Sequence, residues 1–426
     1  MPFNYFLVIC IISIVIAIDR GKLGRGISII KVFNIAWLFC FIIYLSGYYN
    51  YYPIRGDVCL YSAMFVISTN VTFLFFKKGK SVSSINKEEF DHEIVASRKL
   101  TKVIIALSVI CWVLSFNRIQ TSLAIMMLEG ATDLRGQVMG GTVYSTIEML
   151  SYQYFVQPLF SISIILAAQS LILEKKKNFI LIVTAVINAA VYSILFGGRS
   201  PFAQIIIYTF ILLIISNGGN IVAIIKKQKK IIFWGLLFFI PVYLYASLRV
   251  NREWGLFSEV GLYLTAGCPF LSQVLSDPST RLGTSNGILM IGGIYDTFGL
   301  AARFLNFHPE LAQNIYSDLV TDNRFISPDI QLNFTATAIL SFLIDFGKIG
   351  PIIGGFVYGT VFSFIENKFF KKQNVYNLAL YMYFTSISIQ TIQNYDFKST
   401  VVVFVLLYLW LFIGRKHQKN KIKTYA

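Results

Sequence analysis

The chain has 426 residues, of which 56% are hydrophobic and only 14% charged, with a mean hydropathy of +0.65. A soluble chain of this size needs roughly a quarter of its residues charged to cover its surface, so a soluble globular domain is excluded. The net charge of +16 sits in short loops between apolar runs, a positive-inside pattern that requires no nucleic-acid partner.

A spanning helix takes about 20 mostly apolar residues. Such runs lie near 3–18, 28–49, 58–76, 103–128, 152–173, 179–196, 201–217, 231–247, 350–366, 376–392 and 399–413. A further stretch, 335–347, is too short to span comfortably. The pattern predicts an all-α polytopic membrane protein with about 11 or 12 transmembrane helices. The first run has no basic stretch ahead of it and no small-residue cleavage site behind it, so it reads as a retained helix and not a signal peptide. Cys10, Cys40 and Cys111 lie inside apolar runs, and no disulfide framework is expected.

Basic patches follow the first run (Arg20, Lys22, Arg25), fill 77–102, and recur at 175–177, 226–230, 368–372 and from Arg415 to Lys423. All fall on one side in this parse, which marks that side as cytoplasmic. The other side holds 50–57, 129–151, 197–200, 393–398 and one long segment, 248–334. The chain thus divides into N-terminal spans over 1–247, a large external segment over 248–334, and C-terminal spans with a basic tail over 335–426. The aromatic and glycine content of the long segment argues for a folded cap of short helices. Between 334 and 367 an odd number of crossings is required. Either 335–347 is a re-entrant half-helix ahead of one full span, or 286–305 also enters the membrane. The first is favoured and would mark a functional cavity, because non-helical backbone at membrane depth is tolerated only against protein or water.

Positive charge is disfavoured outside, yet Arg135, Arg199, Arg249 and Arg252 lie there close to helix ends. A guanidinium pairs bidentately with phosphate oxygens, so the cluster suits a phosphate carried on a lipid; each arginine alone could equally be an interfacial anchor. Arg199 belongs to the turn Gly197-Gly198-Arg199-Ser200-Pro201, in which the glycines allow a tight turn and the proline suits the start of a helix. If the preceding helix continues, Arg249, Arg252 and Glu253 share a face, and Glu253 is either an ion-pair partner or a general base. His308 is a candidate acid/base or a structural contact beside Pro309. Asp345, in Asp345-Phe346-Gly347, would cost about 2.5–3.5 kcal/mol at membrane depth; it reads as a functional carboxylate or as the cap of a half-helix. No zinc-protease, paired-cysteine, P-loop or dinucleotide motif occurs, so neither a metal nor a cofactor is expected.

These features resemble the bacterial O-antigen and capsule repeat-unit polymerases of the Wzy type, which are related to the O-antigen ligases. The similarity lies in Phe196-Gly197-Gly198-Arg199-Ser200-Pro201 between two helices and in the segment that begins near Leu248-Arg249 and continues through Gly261-Leu262-Tyr263-Leu264-Thr265-Ala266-Gly267. It lies also in Asn333-Phe334-Thr335 and in Asp345-Phe346-Gly347-Lys348-Ile349-Gly350 before a glycine-rich helix. Some members carry an arginine followed, after ten residues, by a glycine in two external loops; Arg281 and Gly292 fit that spacing and Arg135 does not.

The resemblance implies a metal-independent glycosyltransferase with a GT-C-like fold in the bacterial inner membrane. Its active site would face the periplasm, and undecaprenyl-diphosphate-linked oligosaccharides would be its substrates. A hydroxyl of one repeat unit would attack the anomeric carbon of the growing chain, with the lipid diphosphate leaving. Arg199, Arg249 and Arg252, then Arg135 and Arg281, would be the diphosphate ligands, and Glu253, His308 and Asp345 the candidate bases. A chain-length regulator and a flippase of the same pathway would be partners beside the bilayer itself. The competing readings are a lipid-linked oligosaccharide flippase, an O-antigen ligase and a scaffold protein of the export complex.

Overall fold

The structure is a computed structural model. It describes residues 9–16, 19, 27–78, 98–128, 134, 137, 143–174, 176–198, 200–217, 256–303, 305–332 and 336–414. The predicted span 231–247 and most of the basic stretch 77–102 lie outside them. In chain order the helices are α1 (Ile29–Leu45), α2 (Gly56–Phe76), α3 (Arg98–Leu114), α4 (Phe116–Leu128), α5 (Thr146–Ser151), α6 (Gln157–Leu173), α7 (Phe179–Phe196) and α8 (Ser200–Ser216). There follow α9 (Leu256–Thr265), α10 (Gly267–Ser276), α11 (Gly292–Arg303), α12 (Ala312–Val320), α13 (Ile339–Phe346), α14 (Gly350–Lys371), α15 (Val375–Gln390) and α16 (Thr400–Leu409). Strands β1 (Arg324–Ser327) and β2 (Ile330–Leu332) form an antiparallel hairpin, the one sheet among the described residues.

Four stretches are long and apolar enough to cross a membrane: Gly56–Phe76, Ile147–Leu173, Phe179–Phe196 and Ile339–Lys371. The pair Leu100–Leu114 and Phe116–Leu128, bent by 60°, makes a fifth if it is one broken span. Ile29–Leu45, Ser200–Ser216 and Thr400–Gly414 are apolar but shorter. The chain is an all-α membrane protein. The predicted span 376–392 is the 16-residue helix α15, about 24 Å long and short of a hydrocarbon core of about 30 Å.

Two prolines break the helical ladder inside apolar stretches, and a side chain takes up each freed carbonyl. Pro158 cannot donate to Tyr154; a π-helical turn, Tyr152–Val156, precedes it, and the Tyr408 hydroxyl donates to the Tyr154 carbonyl at 2.8 Å. Pro269 likewise separates α9 from α10, and the Cys40 thiol lies 3.9 Å from the Thr265 carbonyl. Such compensation is what an apolar surrounding demands of a backbone acceptor.

The chain divides into two compact units. The first comprises Met1–Ser81, Phe257–Lys371 and Phe384–Val403. Its centre is the packing of α14 on α2, made possible by glycines at four-residue spacing. A Cβ at Gly359 would lie 2.6 Å from the Thr69 carbonyl and 2.7 Å from Thr72 Cβ; one at Gly355 would strike Ser68 Oγ. Small residues let two helices approach closely where lipid offers no hydrophobic drive to associate. The other glycine pair, Gly350 and Gly354, faces Phe342 of α13. In a straight helix Phe342 and Gly350 would stand about 12 Å apart. Here a Cβ on Gly350 would collide with the Phe342 carbonyl, so the chain folds back at Gly347, where φ is +62°. Ile339–Lys371 is therefore a short helix of eight residues followed by a long one, not a single rod.

One end of this unit is locked by a buried ion pair. Glu366 of α14 accepts from Lys77 Nζ at 2.7 Å, from Ser28 Oγ at 2.8 and 2.9 Å, and from the Ile29 amide at 2.8 Å. The pair joins the start of α1 to the ends of α2 and α14. Farther along, Asn34 and Asn70 exchange amide hydrogen bonds at 2.7 and 3.0 Å. An aromatic core of Phe33, Trp37, Phe65, Tyr358 and Phe362 fills the space between.

The second unit comprises Val82–Leu256, Lys372–Tyr383 and Phe404–Ala426. Asn188 of α7 holds it together: its amide donates to Ser108 and Ser163 at 3.0 and 2.8 Å and accepts from the Trp112 indole at 2.7 Å.

Candidate functional site

Arg135, Arg199, Arg249, Arg252 and Glu253 lie outside the described residues. The expected re-entrant stretch, the cap of short helices and three further candidates lie within them, in the first unit. From 256 to 332 the chain forms α9 to α12 and the β-hairpin, joined by turns.

Two buried aspartates organise this stretch. Asp345 of α13 accepts from the successive Leu289 and Met290 amides at 3.1 and 2.7 Å. Asp296 of α11 accepts from the successive Ala312 and Gln313 amides, the first two of α12, at 2.6 and 2.9 Å. Asp296 thus grips the start of the following helix, where amides are otherwise unpaired, and Asp345 grips the turn just ahead of α11. Burial pushes the Asp296 carboxyl up, and its two amide bonds oppose that. The turn ahead of α11 also returns its amides at Gly283, Thr284 and Ser285 to the carbonyls of Leu343 and Ile344, at 2.8 to 3.3 Å. The end of α13 is thereby capped although the chain reverses just beyond it.

Arg281 is exposed in that same turn, and His308 is exposed between α11 and α12. Gly292, which shares its spacing motif with Arg281, has a packing role: a Cβ there would lie 3.0 Å from Lys398 Cα. Gly293 presses on Phe397 and Ser399 in the same way. Arg324 of β1 pairs with Asp277 at 2.9 Å. Hydrogen bonds from Ser279, then Arg324, hold the Asp277 carboxyl down at about 2.

The chemistry that sequence reading missed lies on the other side of those glycines, in the turn after α15. Lys398 donates to Asn394 Oδ1 at 2.6 Å and its ammonium lies 2.8 Å from the centre of the Tyr316 ring. Asp396 receives the Gln390 amide at 3.1 and 3.2 Å when that amide is oriented to satisfy Ser386 as well. Tyr395 donates to the Met290 carbonyl at 2.5 Å. The hydroxyls of Tyr316 and Tyr358 are buried and have no hydrogen-bond partner among the described residues. Burial pushes the Asp396 carboxyl up to about 7 against the pull of Lys398, and burial draws the Lys398 ammonium well down. No direct ion pair joins the two. A short turn carrying Asn394-Tyr395-Asp396-Phe397-Lys398 gives no periodic signal, and only the fold brings Tyr316 and Tyr358 to it.

The second unit has its own charged centre. Arg118 of α4 makes a bidentate pair with Glu148 at 2.6 and 2.9 Å, and Glu148 closes a capping box with Ser145. Rings of Tyr144, Tyr152 and Phe196 pack beside it, and the Tyr144 hydroxyl donates to the Leu195 carbonyl at 2.6 Å. This centre adjoins the end of α7: Gly197, at φ +59°, ends that helix, and α8 begins at Ser200. An arginine inside the apolar run 103–128 was the available signal for it.

No family model matches the chain, and no curated protein or solved structure matches it either.

Proposed function

We propose that this chain is a polysaccharide polymerase of the inner membrane: a GT-C-like, metal-independent glycosyltransferase that joins undecaprenyl-diphosphate-linked oligosaccharide units at the periplasmic face. The observation that carries the reading is the reversal at Gly347. An eight-residue half-helix, turned back on the long helix α14, supports a folded stretch of short helices through the Asp345 clamp and the capped carbonyls of Leu343 and Ile344. Such a half-helix beside a span supports a protein-lined chamber at the membrane face, where sugars and diphosphates stay in water while lipid tails stay in the bilayer. A charge-coupled flippase would favour charge at mid-depth. The fully buried charges of α2 and α14 neutralise each other at helix ends instead. Arg199, Arg249 and Arg252 remain the preferred diphosphate ligands, with Arg135 and Arg281 after them.

The test is a surface-glycan gel from a strain deleted for the gene, with and without a plasmid copy. A polymerase leaves core plus a single repeat unit when deleted and restores the ladder when supplied. Loss of even the single capped unit would overturn the reading in favour of a flippase or ligase, and an intact ladder would remove the enzyme from this pathway altogether.

A further inference from the structure

A groove runs between α1 and α9 in the first unit. Phe39 and Ile43, one turn apart on α1, and Ser46 just past its end form one wall, and Ser258 and Gly261 of α9 form the other. Tyr48 and Tyr49 complete the lining, and the volume is about 400 Å³, within the range of ligand pockets. The walls are tied to each other without an occupant. Tyr49 lies against Gly261, where any Cβ would strike its hydroxyl, and that hydroxyl donates to the Ser258 carbonyl. Tyr49 also stacks on Tyr51 at 5.3 Å, and the Tyr51 hydroxyl meets that of Thr265 on α9 at 2.7 Å. The Ser46 hydroxyl donates to the Ile43 carbonyl at 2.7 Å. Those hydroxyls are engaged, and none of the described residues lining the groove is charged. What it offers an occupant is apolar and aromatic contact, which suits a hydrocarbon chain and not a headgroup.

The groove is continuous with the lipid-facing surface. Ile35, Phe39, Ile42 and Leu45 are all exposed and recur at helical spacing, an apolar stripe along α1 that faces the bilayer. Phe39 belongs to both the stripe and the groove, so the groove opens sideways from the lipid. Its upper end meets Tyr44, Tyr48, Tyr49, Tyr51 and Tyr52, an aromatic belt of the kind that marks the membrane–water boundary. The opposite end of α1 meets the Lys77–Glu366 pair, where the basic stretch 77–102 begins, so the positive-inside pattern puts the groove in the outer leaflet.

We propose that this groove holds a segment of the isoprenoid chain of the lipid-diphosphate-linked substrate. The inference rests on the glycosyltransferase reading above and adds where the carrier's chain lies. A phospholipid fits less well: its phosphate sits a few carbons from its chains and would come to rest among uncharged tyrosines. Arg55, just beyond the belt, is already engaged by Asp57 at 2.7 and 3.1 Å. The carrier's chain is far longer, so its diphosphate lies elsewhere while a chain segment fills the groove. The methyl branches of that chain meet the faces of Phe39, Tyr48 and Tyr49. An anchor remote from the reacting atoms holds substrate and transition state alike, so it acts on KM and not on kcat.

The experiment places the full chain in vesicles of phosphatidylethanolamine and phosphatidylglycerol. One probe is undecaprenyl diphosphate with a diazirine in its chain, and the other is phosphatidylglycerol with a diazirine in an acyl chain. After illumination the labelled peptides are mapped. The polyprenyl probe should label the peptides that hold residues 39–49 and 258–261. Excess unlabelled undecaprenyl diphosphate should remove that label, and excess phosphatidylglycerol should not. Ile43→Trp, which fills the groove, should cut the labelling about tenfold and raise KM for lipid-linked repeat units by a similar factor with kcat unchanged. Ile42→Trp, which adds the same ring on the lipid-facing stripe outside the groove, should change neither. Absence of label from both peptides overturns the proposal, and so does a phospholipid probe that labels them equally well. If Ile43→Trp fails to accumulate, the wild-type map and its competition decide. A wild-type copy that restores the glycan ladder while the groove stays unlabelled sinks the groove alone. A copy that fails to restore the ladder while the groove takes the polyprenyl probe sinks the glycosyltransferase reading and leaves a carrier-chain site.

Discussion

Replacing Lys77 with methionine leaves Glu366 buried without its counter-charge, with the Ser28 hydroxyl and the Ile29 amide still donating to it. Both side chains of the pair are fully buried, so water cannot substitute for the lost ammonium. Breaking a buried pair by removing one partner costs about 3–5 kcal/mol. The donors that remain place Lys77→Met near the lower end, about 3 kcal/mol. Glu366→Gln, which leaves Lys77 without its counter-charge, should cost a similar amount. Removing both charges leaves neither ion stranded, so the double variant should cost about 1 kcal/mol, far less than the sum of the singles. The assay is thermal unfolding of the full chain in detergent, with the double-mutant cycle read from the four midpoints. Single variants indistinguishable from wild type, or a strictly additive double variant, would refute the view that this pair locks α1, α2 and α14 together.

Gly359→Val should sharply reduce the amount of folded protein, since its side chain would enter the Thr69 and Thr72 backbone and side-chain space, whereas Gly56→Ala, at a position with nothing within 4 Å, should be neutral or slightly stabilising; membrane levels of the two variants check this. Asp345→Asn keeps one acceptor for two amides, so it should lower the unfolding midpoint; an unchanged midpoint with lost activity would instead make Asp345 a reacting group. Asp277 has its folded pKa lowered to about 2, so its contribution is present above the unfolded value of about 3.9 and disappears as pH falls through about 2. Hydrogen exchange in the hairpin of Arg324 should therefore loosen across that window in wild type and show no such step in Asp277→Asn.

Hydropathy and charge made the membrane class and several helix positions legible, because a lipid-facing helix must be apolar along its whole length. Gly56–Phe76 and Phe179–Phe196 follow the predicted runs 58–76 and 179–196 closely. The stretch 335–347 was legible as too short to span; the turn itself came only from the structure, which places it at Gly347 because glycine takes that backbone conformation without strain. The role of Asp345 was not legible: the letters could not distinguish a cap from a reacting group, and the amides that it grips lie 55 and 56 residues away. Arg118 and Glu148 show the same limit. They stand 30 positions apart, in what reads as a span and a loop, and only the bend between α3 and α4 makes them a pair.

The aspartate clamps also explain how the turn that carries Asp396 is positioned. The Asp345 carboxylate, on the half-helix, fixes Leu289 and Met290; the Met290 carbonyl receives Tyr395, next to Asp396. A few residues on, Asp296 of α11 fixes the first turn of α12, and α12 carries Tyr316 under Lys398. The two clamps therefore reach the same turn, one through Tyr395 and the other through Tyr316. Neither aspartate bonds the Asp396 side chain, so a loss at either should act on that turn by geometry and not by charge. Asp296→Asn should therefore lower the unfolding midpoint, because the first turn of α12 keeps one acceptor for two amides, and an unchanged midpoint would refute the view that Asp296 fixes α12.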